Sequence, residues 1–156
     1  MFPAFENNGM MPRAHECTSS PNPDPAQLNE SPPFNWTSAP AETKSFAIIM
    51  TDISINLLHW IIYDIPPNVL SLPQKVENKY QPAVPLGSRQ IYYRGSAQLW
   101  GYQGPCSPNS VNSYEFVVYA LNKANLTELN ENSTIRAGAT AIRAASIGSA
   151  KTVGKS

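Results

Sequence analysis

Short apolar runs separated by polar, proline-rich stretches dominate the pattern of this chain. Three runs, residues 45–50, 59–65 and 114–121, are mostly apolar and rich in β-branched and aromatic side chains. Runs of this length and composition predict buried β-strands. The 15 prolines, against 8 glycines, indicate many extended connections and few long helices between them.

Residues 134–147 are the one stretch whose pattern favours a helix. Ile135, Ala139, Ile142 and Ser146 fall on one face at helical spacing. Short strands followed by a late helix are typical of a mainly β fold, so we expect a β-sandwich-like core with peripheral helices, including this C-terminal one.

The composition narrows the class of protein. The 156 residues suit a single domain spanning 1–156, in which the proline-rich residues 19–28 form an exposed loop insertion. Lys plus Arg and Asp plus Glu both number 11, without a basic stripe, which argues against a nucleic-acid partner. The sequence contains no run of about 18 apolar residues, so it predicts no transmembrane helix. Without a secretory signal pattern in residues 1–12, we expect a cytoplasmic protein, or alternatively a periplasmic or secreted mature form.

The two cysteines, Cys17 and Cys106, match no zinc or CxxC spacing. Two free thiols and a disulfide in an oxidising compartment both remain open.

Two polar residues, Asp52 and His59, flank the tight connection between the first two predicted strands. The connection can bring them together, so that the carboxylate accepts from one imidazole nitrogen and leaves the other for a ligand. The chain has only one other histidine, His15, which we interpret as an exposed loop residue. A nucleophile elbow, a P-loop and an HExxH motif are all missing from the sequence.

A glycine-rich loop, residues 101–106 (GYQGPC), precedes the third predicted strand. Glycine lets the main chain approach a ligand closely, so backbone N–H groups of this loop could face an anion. Asn112 and Tyr114, at the start of the strand, would lie near the same strand ends.

In order along the chain, these segments resemble the phosphatidylethanolamine-binding protein family, especially its bacterial Raf-kinase-inhibitor-like branch. Residues 31–36 and 43–47 (SPPFNW and TKSFA) are similar to that family's SPPLSW and TKSFAL stretches. Asp52 falls on the first Asp of its DPDAP motif and His59 on its HW pair. Residues 101–106 match its GYxGPC, and the YAL that ends at residue 121 completes its VYAL.

The resemblance implies a pocket for phosphate, acetate or a phospholipid headgroup, with no cofactor and no metal. It assigns the following ligand-binding residues: Asp52, His59, Tyr102, Gly104, Pro105, Cys106, Asn112 and Tyr114. Asn112 stands where the family has a second pocket histidine, and Ser54 replaces the second Asp of DPDAP. We therefore expect weaker anion binding, with His59 as the main pH-dependent group.

Three functions follow from the sequence and the resemblance. The first is a non-enzymatic binding or regulatory protein with a small anion pocket. The alternative is a kinase or serine-protease inhibitor that acts through the pocket rim and loops such as residues 19–28 and 74–86. A hydrolase using Asp52 and His59 is the least favoured, because neither a nucleophile nor an oxyanion motif accompanies them. The resemblance also suggests a homodimer.

Overall fold

The structure is a computed structural model, and residues 1–19, 22–106 and 110–156 are described. Most of its regular structure is strand. The strands are β1 (Phe2–Pro3), β2 (Gly9–Met10), β3 (Phe34–Asn35), β4 (Ser45–Asp52), β5 (Leu57–Ile65), β6 (Ser71–Leu72), β7 (Arg89–Gln90), β8 (Tyr92–Arg94), β9 (Gln98–Trp100), β10 (Ser113–Leu121) and β11 (Ser146–Lys155). One α-helix, α1 (Ile135–Ala145), and a 3-10 turn, Arg13–His15, complete the described elements.

A six-stranded sheet in the order β2-β11-β10-β4-β5-β7 forms the centre of the fold. Its neighbours are antiparallel except for the short β11–β2 contact. A three-stranded sheet, β1-β3-β6, and a β8-β9 hairpin accompany it. The mainly β architecture expected from the sequence is confirmed.

Both faces of the central sheet are buried. Ile48 and Met50 of β4 join an apolar cluster with Phe34 and Trp36, which come from the segment that contains β3. Successive side chains of a strand point to opposite faces, so the alternating residue Ile49 instead packs in a second cluster with α1. This double burial explains why β4 is a continuous apolar run rather than an alternating one.

The helix begins where the sequence predicts and ends earlier. Thr134 caps it, because its Oγ1 accepts a hydrogen bond from the backbone N–H of Ala137 at 3.1 Å. Residues 146 and 147, predicted as helix, instead start β11, where Ser146 pairs with Leu121. The prediction of helix to residue 147 was therefore wrong, and β11 was missed altogether.

The predicted loop insertion at residues 19–28 falls partly on residues 20 and 21, which lie outside the described residues. Residues 22–28 are turns and irregular chain. Across the part of the chain that is described, no helix has both the length and the apolar content needed to cross a membrane.

Candidate functional site

Strand register brings the candidate residues to one end of the central sheet. Asp52, the last residue of β4, pairs with Leu57 of β5 and with Tyr114 of β10. The turn between β4 and β5 is tight, and Asp52 Oδ1 accepts from the backbone N–H of Ser54 at 3.0 Å within it. This interaction is an ordinary turn-forming role for aspartate.

A cavity of about 410 Å³ opens at this end of the sheet. Five of the eight residues assigned to the ligand line it: Asp52, His59, Cys106, Asn112 and Tyr114. The cavity therefore collects side chains from β4, β5, β10 and the loop that precedes β10.

His59 is held by a backbone carbonyl. Its Nδ1 donates to the carbonyl oxygen of Gln103 at 2.9 Å, and its ring meets that of Tyr114 edge-on, with centroids 5.4 Å apart. The expectation that Asp52 orients this ring through a hydrogen bond was wrong, since Nδ1 donates to the carbonyl of Gln103 instead. No hydrogen bond to Nε2 is found among the described residues, and His59 is one of the residues that line the cavity.

The carboxylate of Asp52 is occupied on both oxygens. While Oδ1 accepts from Ser54, Oδ2 accepts from Nδ2 of Asn112 at 2.8 Å. Asn112 also accepts from the Ser110 hydroxyl at 3.1 Å. The amide that replaces the family's second histidine thus donates one of its N–H groups to Asp52.

Burial lowers the pKa of His59 below its ordinary value of 6.5, because desolvation disfavours the imidazolium. The hydrogen bond to Gln103 and the charge of Asp52 oppose this shift without cancelling it. Burial therefore favours the neutral form of the His59 ring, in which Nε2 is a hydrogen-bond acceptor.

The other three assigned residues, Tyr102, Gly104 and Pro105, do not line the cavity. They hold the 101–106 loop against the N-terminal segment. Tyr102 Oη donates to the carbonyl of His15 at 2.7 Å, and the carbonyl of Pro105 accepts from the N–H of Cys17 at 2.9 Å.

The N–H of Gly104 is used inside the fold. It donates to Asn29 Oδ1 at 2.8 Å, so the expectation that it faces an anion was wrong. Glycine is needed here for close packing, since a Cβ at this position would collide with the carbonyl oxygen of His15. The loop thereby fixes the position of Gln103, whose carbonyl holds His59.

His15 was expected to be an exposed loop residue and is buried instead, at 2% exposure. Its Nδ1 lies 2.8 Å from the carbonyl oxygen of Glu30, and burial lowers its pKa as it does for His59. It does not line the cavity. The chain therefore has two buried histidines whose Nδ1 atoms each lie at a backbone carbonyl, one lining the cavity and one away from it.

Cys17 and Cys106 form a disulfide, with their Cα atoms 5.4 Å apart. This separation is ordinary for a disulfide. Cys106 lines the cavity, so the cross-link ties the cavity wall to the N-terminal segment.

Two cationic side chains at the cavity were missed from the sequence. Arg94 ends β8, and Arg136 lies in the first turn of α1; both line the cavity and are exposed. The Arg94 guanidinium lies 4.8 Å from the ring centroid of Tyr92. No local sequence motif identifies these two arginines, because only the packing of α1 and of the β8-β9 hairpin brings them to the cavity. Within the described ranges, no group of three or more His, Cys, Asp or Glu side chains is arranged to hold a metal ion.

Solved structures share this fold. The crystal structure of Escherichia coli YbcL, described as a member of the mammalian PEBP family, superposes with a TM-score of 0.82 at 22% identity, covering 99% of this chain and 94% of YbcL. A phosphatidylethanolamine-binding protein homologue from Chlamydia trachomatis, CT736, gives 0.74 at 23% identity, covering 98% and 92%.

Sequence comparison agrees with the fold. A UPF0098 protein of Methanothermobacter thermautotrophicus is 36% identical over 121 residues, covering 76% of this chain and 72% of the relative. The UPF0098 protein of Aquifex aeolicus is 30% identical over 128 residues, covering 79% and 67%. The family model described as phosphatidylethanolamine-binding protein matches residues 2–156. The chain therefore belongs to the phosphatidylethanolamine-binding protein family.

Proposed function

We propose that this member of the family is a non-enzymatic binding protein whose cavity takes a small anion, either free phosphate or the phosphate of a phospholipid headgroup. One observation carries the proposal: His59 lines the cavity with Nδ1 bonded to Gln103, which leaves Nε2 for a ligand. A histidine oriented in this way offers a phosphate oxygen one directed N–H when the ring is protonated.

The charges around the cavity fit a phosphate group. Arg94 and Arg136 contribute two permanent positive charges, and guanidinium groups pair well with phosphate oxygens. Arg136 also lies in the first turn of α1, where the helix dipole favours negative charge. Arg94, Arg136 and the α1 dipole therefore all favour negative charge at the opening of the cavity.

Asp52 gives the cavity one negative charge beside His59. Both of its oxygens accept hydrogen bonds from protein donors, which lowers their capacity to repel an incoming anion directly. Its remaining charge favours a ligand that carries an ammonium next to its phosphate. Phosphoethanolamine therefore fits the charge distribution better than phosphate alone.

Binding is coupled to a proton. The free imidazole is neutral because burial lowers its pKa, whereas a phosphate dianion requires the protonated ring as donor. A bound dianion therefore raises the pKa of His59, and binding at neutral pH takes up a proton on the ring.

The arrangement favours binding over catalysis. Among the described residues, Nδ1 of His59 donates to Gln103 and Oδ2 of Asp52 accepts from Asn112, and no hydrogen bond joins His59 to Asp52. A carboxylate–imidazole pair that could activate a hydroxyl is therefore not formed at the cavity.

Titration calorimetry at pH 6 with inorganic phosphate and with O-phosphoethanolamine tests the proposal. His59→Asn retains an N–H that can donate to the Gln103 carbonyl and removes Nε2. We expect this variant to lose roughly tenfold or more in affinity for both ligands, as for the loss of one charge-assisted hydrogen bond.

His15→Asn is the matched control, because His15 is equally buried and also bonded to a backbone carbonyl but lies away from the cavity. It should bind like the wild type. The proposal fails if the wild type binds neither compound, or if a folded His59→Asn variant binds both as tightly as the wild type.

A further inference from the structure

The disulfide between Cys17 and Cys106 presents its two cysteines unequally to solvent. Cys17 is buried, at 2% exposure, and its N–H donates to the carbonyl of Pro105 at 2.9 Å. Cys106 is partly exposed and lines the cavity, whereas Cys17 does not. A molecule that approaches this disulfide through the cavity therefore meets Cys106.

The sulfur of Cys106 lies among polar groups of the cavity wall. Its Sγ is 3.4 Å from Nε2 of Gln103 and 4.0 Å from Oγ of Ser96, a residue that also lines the cavity. Nε2 of Gln103 donates in addition to Oγ of Ser96 at 3.2 Å. These contacts place the sulfur beside the turn of the β8-β9 hairpin, which carries both Ser96 and Arg94 to the cavity.

The charged side chains at the cavity favour an anionic reactant. Arg94 and Arg136 both line the cavity and are exposed. The one carboxylate among the lining residues, Asp52, is 1% exposed and accepts hydrogen bonds on both oxygens. A cleft whose accessible charges have one sign raises the local concentration of reactants of the opposite sign. An anionic thiol is therefore enriched beside Cys106 relative to a neutral thiol of the same size.

We propose that Cys106 is a site of thiol–disulfide exchange with a small thiol that carries an anionic group and that reaches the sulfur through the cavity. The thiolate of the small molecule forms a bond to Sγ of Cys106, and the bond between Cys17 and Cys106 breaks. The electron pair of the broken bond leaves with Sγ of Cys17, which takes up a proton and becomes a free thiol. The small molecule stays on Cys106 as a mixed disulfide, with its anionic group in the cavity.

Cys17 is placed to reverse this modification. The Cα atoms of the two cysteines are 5.4 Å apart, so the freed thiol lies next to the mixed disulfide. Attack of the Cys17 thiolate on Sγ of Cys106 restores the cross-link and releases the small thiol unchanged. The modification is therefore reversible, and the small thiol is the only reductant that it requires.

Exchange of the full oxidised chain with mercaptoethanesulfonate, β-mercaptoethanol and cysteamine tests the proposal, because these small thiols are anionic, neutral and cationic. Acid quenching, alkylation in denaturant and peptide mass spectrometry measure the rate and locate the attached thiol. Each rate is divided by the rate of the same thiol with hydroxyethyl disulfide, which removes differences in intrinsic reactivity. We expect the mixed disulfide on Cys106, formed about tenfold faster by the sulfonate than by the neutral thiol at low ionic strength.

Arginine variants test the electrostatic part of the proposal. Arg94→Gln with Arg136→Gln should lower the relative rate of the sulfonate thiol by roughly fivefold or more and leave that of the neutral thiol unchanged. Arg143→Gln is the control, because Arg143 is exposed on the same helix as Arg136 but does not line the cavity. It should leave the relative rates of both thiols unchanged.

Single-cysteine variants locate the reactive sulfur even where the mixed disulfide is too short-lived to trap. An anionic methanethiosulfonate should label Cys106 in Cys17→Ala roughly tenfold or more faster than it labels Cys17 in Cys106→Ala, because only Cys106 lines the cavity. Circular dichroism of the two variants checks that both remain folded during the reaction.

Three results would overturn the proposal. The first is attachment of the thiol to Cys17, or equally to both cysteines. The second is the same relative rate for the anionic and the neutral thiol. The third is a rate that does not depend on thiol concentration, since exchange would then follow unfolding of the chain rather than entry through the cavity. Exchange at Cys106 requires no bound phosphate, so failure of the phosphate calorimetry would overturn the proposed function alone.

Discussion

Replacing Cys17 and Cys106 together by alanine is expected to lower the free energy of unfolding by roughly 4–5 kcal/mol. The two residues are 89 positions apart in sequence, so their disulfide closes a long loop and removes much of the conformational freedom of the unfolded chain. Because whole domains are stable by only about 5–15 kcal/mol, this change would bring the protein close to unfolding.

Urea unfolding monitored by tryptophan fluorescence measures the effect of the disulfide. Reductant should destabilise the wild type by a similar amount and leave the double-alanine variant unaffected, which separates loss of the cross-link from loss of side-chain packing. Equal unfolding midpoints for oxidised and reduced wild type, or two alkylated thiols in the protein without reductant, would contradict the expectation.

Gly104→Ala is expected to cost roughly 3 kcal/mol or more, because the new Cβ would collide with the carbonyl oxygen of His15. This neighbour is backbone, so relief requires the 101–106 loop or the N-terminal segment to move. Movement of the loop also displaces the carbonyl of Gln103 that holds His59, so affinity for phosphate should fall together with stability.

Gly148→Ala is the control for the glycine substitution. Its Cβ would lie 3.2 Å from Cγ of Pro40, a side-chain atom, and in β11 rather than in the loop. It should change the free energy of unfolding by less than about 1 kcal/mol, since a small shift of the ring relieves the contact. Denaturant unfolding of both variants that gave equal values would remove the argument for close packing at Gly104.

The strands that could be predicted from sequence are those whose side chains are buried. Apolar, β-branched side chains fill both faces of the central sheet, so its buried strands can be predicted as apolar runs, at residues 45–50, 59–65 and 114–121. β11 could not be found in this way, since most side chains of its sequence, SIGSAKTVGK, are small or polar and few of them are buried. It exists because its backbone pairs along the whole of β10, which is a tertiary effect.

Five of the eight residues that the resemblance assigns to a ligand line one cavity, but their hydrogen-bond partners could not be predicted from the sequence. Asp52, His59 and Asn112 stand at motif positions, so a resemblance could identify them. The partner of His59 is a main-chain carbonyl of Gln103, which any residue type could provide, so no motif reveals it. Arg94 and Arg136 reach the cavity only through packing of elements distant in sequence.

Several expectations from the sequence stay predictions. Kinase or serine-protease inhibition, the homodimer and the cellular compartment each need an experiment of their own.

The most direct test of the anion site is an NMR pH titration of His59 with and without phosphate, in which the His15→Asn variant leaves one imidazole to observe. The free protein should show a pKa below 6.5, because burial disfavours the charged ring. Saturating phosphate should raise that pKa by roughly one unit or more, since a tenfold preference of the anion for the protonated ring corresponds to one unit. The same pKa of His59 with and without phosphate would contradict the account.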